Sequence, residues 1–497
     1  MAISCYDLIF CLVDFEASKI TNKGKYIFMK DVRYSLIYRF FLTQIKFGNY
    51  QYGDVLPPIR VVDKFYNSSA PTVRNAYLLL QEEGYISLSS GRMTRVISDI
   101  SEEECHKNVR SYYLARRDEI RRLYETTFYV LLPLFEEGGR RLEDGQLEYI
   151  REACEEVKDI DFYSSFIVGQ EMIRALNNQL ALNLYYEILA FCQFAHTLNK
   201  RETLPEVTKR CNRLSCQVVE ACKRKDRREL YRVFVQIQAA MGEVIDSLLD
   251  CKGEERSTQE QKAFEWGIYR ERPQLCYSLA AKFITDIMIN RRYSRGEYLP
   301  TYAAMAKMYS VSLSTIRRTI KLLEELGVVE PLHGIGTRVA VEPVNRPHQQ
   351  WGGAKSVITL FLEVMQIVQV TFNDASESFF CIRNENLQSC VTQMKIYISK
   401  GACFSPFLIC MDYLLCGNDN ASMSEIGGRL YEGIVLGIPL VEAFAAPPVR
   451  CRIRTCSEKI MDCLEKGDIS SCHRVLGECM DMASETAKEV LTLQNCG

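Results

Sequence analysis

The stretch GDVLPPIR at residues 53–60, followed by SAPTVRNA at residues 69–76, is the part of the chain that decides the fold. The pattern recurs in mid-chain as GEYLPTYA at residues 296–303 and SLSTIRRT at residues 312–319. One constant offset, 296 − 53 = 243, relates the two copies without a gap. Identical residues at this offset are Tyr34 and Tyr277, Gly53 and Gly296, Thr72 and Thr315, Arg74 and Arg317, and Gly84 and Gly327. A repeat at one fixed offset predicts that the same structural unit occurs twice.

Three helices are predicted in the first copy. Apolar residues recur three and four positions apart over 34–47, which predicts a helix. Gly53 and Pro57 predict a turn, because glycine allows the bend and proline disfavours helix in the residue before it. A short second helix ends near Phe65, and a third spans 69–83 from a serine, a good N-cap residue. The corresponding helices of the second copy are 277–289, one ending near Met308, and 312–326.

A short β-hairpin is predicted after the third helix. Gly84 ends that helix, a β-rich stretch spans 85–88, Gly91 lies in the turn, and the return strand contains Thr94-Arg95-Val96. The second copy repeats this order over 327–339. Three helices and a two-stranded hairpin predict a winged helix-turn-helix. Such a module places its third helix in the DNA major groove, and the hairpin can touch phosphate or the minor groove.

Candidate DNA-binding residues are the polar and basic side chains at the start of the third helix and beside the hairpin. Side chains of these types contact phosphates and base edges. In the first copy they are Arg60, Ser69, Thr72, Arg74, Asn75, Arg92 and Arg95. In the second copy they are Ser312, Ser314, Thr315, Arg317, Arg318 and Arg338.

The charge balance agrees with local DNA contacts. The chain of 497 residues has a net charge of −2, which excludes a uniformly basic protein that coats nucleic acid. Residues 34–98 carry seven basic and four acidic side chains, a net +3, and residues 277–341 carry nine and five, a net +4. Positive charge is therefore concentrated in the two repeated blocks.

The rest of the chain is predicted to be helical. Long amphipathic stretches such as 109–134, 180–198 and 230–249 have the helical period. We therefore predict a mainly α fold in which each winged helix-turn-helix precedes an all-helical, effector-like domain. The predicted segments are an N-terminal extension at 1–30, winged helix-turn-helix domains at 31–98 and 265–342, and helical domains at 99–255 and 343–497. Residues 1–30 are either a genuine extension or the product of a mis-called start, since Met29 lies just before the repeat.

The cysteine pattern and the hydropathy of the chain indicate the cellular compartment of the protein. The 21 cysteines include no Cys-x-x-Cys pair and no zinc-ligand spacing, which indicates reduced thiols and a cytoplasmic protein. Apolar residues at 8–13 lack a preceding basic region, and no uninterrupted apolar run is long enough to cross a bilayer. We expect neither a signal peptide nor a membrane span.

The repeated block resembles the winged-helix domain of the GntR family of bacterial transcription regulators. In the first copy the resemblance rests on GDVLPPIR at 53–60, TVRNA at 72–76 and EEGYI at 82–86. In the second copy it rests on GEYLP at 296–300, TIR at 315–317 and GIGTRV at 334–339. It implies a regulator whose partner is double-stranded DNA. The helical segments favour the branch that resembles FadR, with an all-helical effector domain, over the branch with an α/β ligand domain.

The duplication is predicted to include the effector domains. The segments ACKRKD at 221–226 and CLEKGD at 463–468 both resemble the turn before the last helix of that domain, and their offset is 468 − 226 = 242. Two departures from the family pattern predict either that the two copies recognise unequal half-sites or that one copy binds DNA more weakly. The arginine that usually follows the first serine of the recognition helix is replaced by Ala70 and Leu313. The arginine kept as Arg60 is Ala303 in the second copy.

Many effector domains of this branch hold a metal through one aspartate and three histidines. Asp161 lies at the aspartate position, but the histidine positions of the first copy hold Ser165, Leu214 and Gln236. In the second copy the last two positions hold Cys456 and Glu478. The chain has five histidines, and we predict no metal site and no cofactor.

Aromatic residues are plentiful in the first helical domain, and one interpretation is that they line a pocket for a small apolar effector. The candidate pocket residues are Asp161, Tyr185, Tyr186 and Gln236. The alternative is that aromatic residues at helical spacing in this segment are plain core.

Two functions of different classes follow. The first is a sequence-specific regulator in which two winged helices of one chain form a pseudo-dimer and contact a two-part operator, about 34 Å apart along the duplex; association of two chains into a further homodimer stays open. The second is a protein-interaction scaffold in which degenerate winged helices no longer bind DNA, as Ala70, Leu313 and Ala303 suggest. An enzyme is not expected, because the chain lacks a phosphate-binding loop, a Gly-x-Ser-x-Gly elbow and a His-Glu-x-x-His motif.

Overall fold

A computed structural model shows that the protein is mainly helical and divides into two compact units. The structure describes residues 32–66, 68–88, 93–156, 163–193, 205–249, 261–268, 273–341, 354–372, 382 and 384–495. The N-terminal unit contains Asp31–Trp266 with Asn420–Ser422, and the C-terminal unit contains Gly267–Asp419 and Met423–Gly497.

The N-terminal unit begins with the first winged helix. Its elements are α1 (Val32–Lys46), α2 (Ile59–Phe65), α3 (Ala70–Glu82), β1 (Ile86–Ser87) and β2 (Arg95–Val96). The strands are antiparallel, with Ile86 opposite Val96. Its core includes Ile37, Phe41, Tyr77 and Leu80, all 3% exposed or less. The apolar positions that predicted the first and third helices are thus the positions that these helices bury.

A helical domain follows in the same unit. Its helices are α4 (Glu102–Leu114), α5 (Arg117–Arg141), α6 (Asp144–Glu156), α7 (Tyr163–Ala175), α8 (Gln179–Cys192), α9 (Pro205–Arg224) and α10 (Arg227–Leu249). One core cluster is built from α5, α6, α7, α9 and α10, and it includes Ile150, Val168 and Leu230. Residues 261–266 also pack in this unit, where Trp266 Nε1 donates to Asn183 Oδ1 over 2.8 Å.

The C-terminal unit begins with the second winged helix. Its elements are α11 (Gln274–Met288), α12 (Tyr302–Met308), α13 (Leu313–Glu325), β3 (Val329–Leu332) and β4 (Gly336–Val339). The hairpin is longer than the first one, with four cross-strand pairs from Val329 opposite Val339 to Leu332 opposite Gly336. The backbone at Gly336 has a φ of 145°, a conformation that glycine adopts without strain.

The second helical domain contains α14 (Ala354–Phe372), α15 (Asn384–Ser399), α16 (Ser405–Cys416), α17 (Ala421–Phe444), α18 (Pro447–Lys466) and α19 (Ile469–Asn495). Among the described residues, α14 alone is long and apolar enough to cross a membrane, and 56% of its apolar window is buried inside the protein. Burial of this kind is common for a core helix of a soluble domain.

The helices of the two units start at matching positions. Ala70 and Leu313 begin α3 and α13, and they are partners at the offset of the sequence repeat. The last four helices among the described residues of each unit also begin at one common offset, a single position shorter than that of the winged helices. Their first residues are Tyr163 and Ser405, Gln179 and Ala421, Pro205 and Pro447, and Arg227 and Ile469. The prediction of a mainly α fold with two winged helices, each followed by helices, is confirmed.

Some predicted bounds differ from the observed ones. The amphipathic stretch 109–134 is not one helix, because the helical conformation is interrupted at Ala115 and Arg116, between α4 and α5. The Arg116 guanidinium stacks on the Tyr112 ring, 3.8 Å from its centroid, beside this break. The prediction of helix over 194–198 lies outside the described residues.

Candidate nucleic-acid interface

Helix α3 presents a short polar face at its N-terminus. Ser69 is the N-cap and accepts from the Thr72 backbone N–H at 3.3 Å, while the two hydroxyl oxygens lie 2.8 Å apart. The apolar face of the helix, with Val73 and Tyr77, is buried. Arg74 and Asn75 lie on the opposite, exposed face. These two side chains are therefore placed to contact a nucleic acid, while Ser69 and Thr72 hold the helix start.

Helix α13 presents a more basic version of the same face. Ser312 caps it by accepting from the Thr315 N–H at 3.1 Å, and its hydroxyl also lies 2.8 Å from Ser314 Oγ. Ile316 and Ile320 are buried, whereas the cationic side chains Arg317, Arg318 and Lys321 are exposed. The α13 face thus has three cations where the α3 face has Arg74 alone.

The family's missing arginines leave exposed, uncharged positions. Ala70 and Ala303 are exposed, and 44% of Leu313 is accessible at the first turn of α13. Arg60 is exposed on α2.

The wing arginines are engaged inside their own domains. Arg95 Nη1 donates to the Gly53 carbonyl over 2.7 Å. Arg338 Nη2 lies 2.7 Å from Glu330 Oε2, directly across the β3–β4 hairpin. This hydrogen bond raises the pKa of the Arg338 guanidinium. Each arginine therefore has a structural contact that a phosphate would have to share or replace. Arg92, also predicted to contact DNA, lies outside the described residues.

Each winged helix is held against the helical domain of its own unit. In the N-terminal unit, Arg174 Nη2 donates to the Lys64 and Phe65 carbonyls at the end of α2, each over 2.8 Å. The Tyr186 hydroxyl donates to the same Phe65 carbonyl. Carbonyls of a helix C-terminus lack intrahelical donors, so these side chains satisfy them. The side chains that orient α2 and hence α3 therefore come from α7 and α8.

In the C-terminal unit, the contacts between the helical domain and the winged helix include the end of the first helix, α11. The Tyr397 hydroxyl donates to the Ile289 carbonyl, and Ser405 Oγ donates to the Met288 carbonyl over 3.1 Å, both at the end of α11. In addition, Arg429 lies 3.3 Å from Glu432, whose carboxylate accepts from Ser278 Oγ on α11 over 3.3 Å. Sequence patterns did not identify these docking residues. In the N-terminal unit the available signal was Glu187, the one charged residue of helix α8.

The predicted effector residues are dispersed. Tyr185 is buried, donates to the Phe166 carbonyl over 3.1 Å and packs edge-on against Phe135. Tyr186 contacts the winged helix, as described above. Gln236 is exposed on α10, and Asp161 lies outside the described residues. The Tyr185 and Tyr186 rings lie side by side, with their centroids 6.0 Å apart.

The positions of the family's metal ligands have other contacts. Ser165 Oγ lies 2.9 Å from Ser215 Oγ in the N-terminal unit. In the C-terminal unit, Cys456 Sγ lies 4.0 Å from Glu478 Oε2. Within the described ranges, no group of three or more histidine, cysteine, aspartate or glutamate side chains is arranged to hold a metal ion.

A polar cavity of about 560 Å³ opens beside the docked end of α2. Its lining is almost entirely polar and includes Lys64, Arg174, Asn178 and Gln179. The Asn178 side chain already caps α8 by accepting from the Ala181 N–H over 2.8 Å. Arg174 is thus engaged with the end of α2, and Asn178 with the start of its own helix.

Comparison with known proteins identifies the class of the two winged helices. The model of the family described as bacterial regulatory proteins, gntR family, matches residues 33–96 and 277–339. These are the two winged helices, and the helical domains are outside the matches. The chain therefore contains two segments that match the model of this family of regulatory proteins. No curated protein matches the chain.

Several solved structures are similar to part of this chain. A Streptococcus agalactiae GntR is 14% identical, covering 42% of this chain and 99% of its own, with a TM-score of 0.20. The E. coli protein McbR/YncC is 14% identical, covering 43% and 97%, with a TM-score of 0.25. A putative transcriptional regulator GntR from Rhodococcus sp. RHA1 is 13% identical, covering 43% and 97%, with a TM-score of 0.25.

Proposed function

We propose that the protein is a cytoplasmic transcription regulator in which both winged helices of one chain bind a two-part operator in double-stranded DNA. The observation that carries the proposal is the exposed polar face on both third helices. Arg74 and Arg317 occupy equivalent positions on these faces, and within the described residues neither forms an ion pair. A cation exposed at the start of a recognition helix can reach phosphate or a guanine edge.

The two half-sites are proposed to differ. Asn75 and Arg318 occupy the same position of the repeat, and both are exposed. Asparagine pairs best with adenine and arginine with guanine in the major groove. The operator is therefore an imperfect palindrome, with adenine in one half where the other has guanine.

The proposal includes an origin by tandem duplication of a unit that resembles the FadR-like branch. The matching starts of the last four helices in each unit support it. One chain then supplies the two winged helices that a homodimer would supply. A small effector acting through the helical domains is part of this proposal, and the contacts of Arg174, Tyr186 and Tyr397 with the winged helices are the route by which it would act.

Selection of bound fragments from random DNA by the purified full-length chain tests the proposal. We expect an asymmetric two-part site, with Arg74→Ala and Arg317→Ala each weakening a different half by about 1–3 kcal/mol. Arg228→Ala, which removes an exposed arginine from α10, is the matched control and should leave binding unchanged. If no fragment is enriched, or if none of the three substitutions changes DNA binding, the scaffold function is favoured.

A further inference from the structure

The polar cavity beside the docked end of α2 lies between the first winged helix and the helical domain of the same unit. Its volume is about 560 Å³, within the range of about 300–1,000 Å³ that is typical of small-molecule sites. The winged helix contributes Lys64 and Ser68 to its lining, and the helical domain contributes Arg174, Asn177 and Gln179. A ligand in this cavity would therefore contact both domains at once.

The lining of the cavity carries a net positive charge. Its cations are Lys64 and Arg174, and its acidic side chain is Asp63. Arg174 is engaged, because Nη1 lies 2.7 Å from Glu171 and Nη2 donates to carbonyls at the end of α2. Lys64 is exposed, and among the described residues its ammonium group forms no ion pair. The Lys64 ammonium is therefore the group that an anion in the cavity would bind.

Neutral groups of the lining are suited to bind hydroxyls. The Ser68 Oγ atom is buried and has no hydrogen-bond partner within the described part of the chain. A buried hydroxyl without a partner destabilises the protein, so a ligand that hydrogen-bonds to it removes that cost. Asn177 is exposed in the turn between α7 and α8, and its amide can both donate and accept. A lining of this kind favours a hydroxylated ligand over an apolar one.

The C-terminal unit shows that the fold itself does not require this lining. Lys64 has an equivalent, Lys307, at the offset of the winged helices. Other polar or cationic residues of the lining are replaced in the repeat, by Val311 for Ser68, Cys416 for Arg174, Asp419 for Asn177 and Ala421 for Gln179. The same order of helices therefore forms without these groups, and folding alone does not account for them in the N-terminal unit.

We propose that the cavity binds a small hydroxylated organic anion, whose phosphate or carboxylate group contacts Lys64 and whose hydroxyls contact Ser68 and Asn177. This inference rests on the proposed function and deepens it, because it gives the effector a site and a chemical class. Ser68 directly precedes Ser69, the N-cap of α3. A ligand held by Ser68 and by the α7–α8 turn fixes the start of α3 relative to the helical domain. Anion binding is thereby linked to the orientation of the face that carries Arg74.

Isothermal titration calorimetry of the full-length chain without DNA tests the site. The probes are glucose 6-phosphate and citrate, which represent the phosphate and the carboxylate source of this chemistry, and glucose is the uncharged control. We expect at least one of the two anions to bind, and glucose not to bind. Lys64→Gln should weaken binding by about tenfold, because a charge-assisted contact is lost. Asn177→Asp should also weaken it, because it adds a negative charge to the lining.

The Lys307→Gln variant is the matched control, because Lys307 is the equivalent exposed lysine on α12. It should leave the affinity for the anion unchanged. Equal losses in Lys64→Gln and Lys307→Gln would overturn the proposal, and so would the absence of binding by both anions. Loss of binding in Arg317→Ala, with Lys64→Gln unaffected, would place the anion on the DNA-binding face and would also overturn it.

A second titration separates this inference from the proposed function. The selected operator fragment is titrated with and without the anion, and we expect the anion to change the operator affinity of the unsubstituted chain but not that of Lys64→Gln. An operator affinity that the bound anion leaves unchanged would overturn the effector role. Anion binding through Lys64 in a chain that selects no DNA would support the site and contradict the regulator. Operator binding by a chain that binds neither anion would overturn the site and leave the regulator intact.

Discussion

Arg39 Nη2 lies 2.8 Å from Glu187 Oε2, and this ion pair joins helix α1 of the first winged helix to helix α8 of the helical domain in the same unit. The partners differ in exposure: the Arg39 side chain is 52% exposed and the Glu187 side chain 4%. Burial raises the pKa of Glu187, and Arg39 opposes that shift. The buried Glu187 carboxylate is therefore the charge that the ion pair stabilises more.

The two halves of this pair should respond unequally to substitution. We expect Arg39→Met to lower the free energy of unfolding of the N-terminal unit by about 1–3 kcal/mol, because it leaves a buried carboxylate without a cation. Glu187→Gln should cost less, since its carbonyl oxygen still accepts from Arg39 and no buried charge remains. Urea unfolding of the full chain measures both variants. Equal losses would contradict this account.

A second buried carboxylate predicts a pH dependence of stability. Burial raises the pKa of Asp412 on α16 to about 6, and its Oδ1 atom has no hydrogen-bond partner among the described residues. A carboxyl whose pKa is raised in the folded state binds its proton more tightly there than in the unfolded chain. Its cost to stability is therefore absent below the unfolded value of about 4, grows between pH 4 and 6, and is complete above pH 6.

The Asp412→Asn variant should remove this dependence. We expect it to raise the free energy of unfolding at pH 7.5 by about 1–3 kcal/mol and to match the original chain near pH 4. Thermal denaturation between pH 4 and pH 8 measures the difference. Asp462→Asn on the exposed side of α18 provides a control, and a gain of stability that is the same at every pH would count against the titration of Asp412.

The exposed Leu313 predicts a gain of DNA affinity. Leu313→Arg restores the residue type that the resemblance places after the first serine of the recognition helix, and 44% of this position is accessible in the structure. We expect tighter binding by about 1 kcal/mol and a steeper dependence on salt, because one more cation reaches the DNA. Titration of an operator fragment at several salt concentrations measures both effects. Leu313→Gln is the uncharged control, and the same gain in both variants would exclude a charge effect.

The equivalent positions of Asn75 and Arg318 predict a change of base preference. The Asn75→Arg variant gives α3 the residue type that α13 has at the equivalent position. We expect the selected half-site to change from adenine to guanine at one step, with a discrimination of about 1–3 kcal/mol. Repetition of the random-DNA selection with this variant identifies the change. An unaltered half-site would show that Asn75 does not contact a base.

The winged helices were predictable because their signals are local. A serine before an apolar-periodic segment becomes an N-cap through its own backbone neighbours, as Ser69 and Ser312 show. Glycines at the helix ends adopt positive φ angles, as at Gly84 and Gly327, where other residues are strained. The constant offset then extended each local prediction to its second copy.

The candidate site was only partly predictable, because many of its contacts join residues far apart in the sequence. The sequence identified Arg95 and Arg338 as cations beside a hairpin. Their contacts with the Gly53 carbonyl and with Glu330 depend on chain segments that meet only in the folded domain. Tyr186 was predicted as a pocket residue, yet its hydroxyl bonds to the Phe65 carbonyl of the winged helix.

The sequence by itself determined the two winged helices, their helical partners and the polar residues at the start of each recognition helix, because periodicity, caps and turns act over a few residues. Tertiary structure alone decided which of those residues are exposed and which side chains fix each winged helix to its helical domain. These relationships join residues far apart in the chain, so burial and distance, which no local pattern encodes, set them.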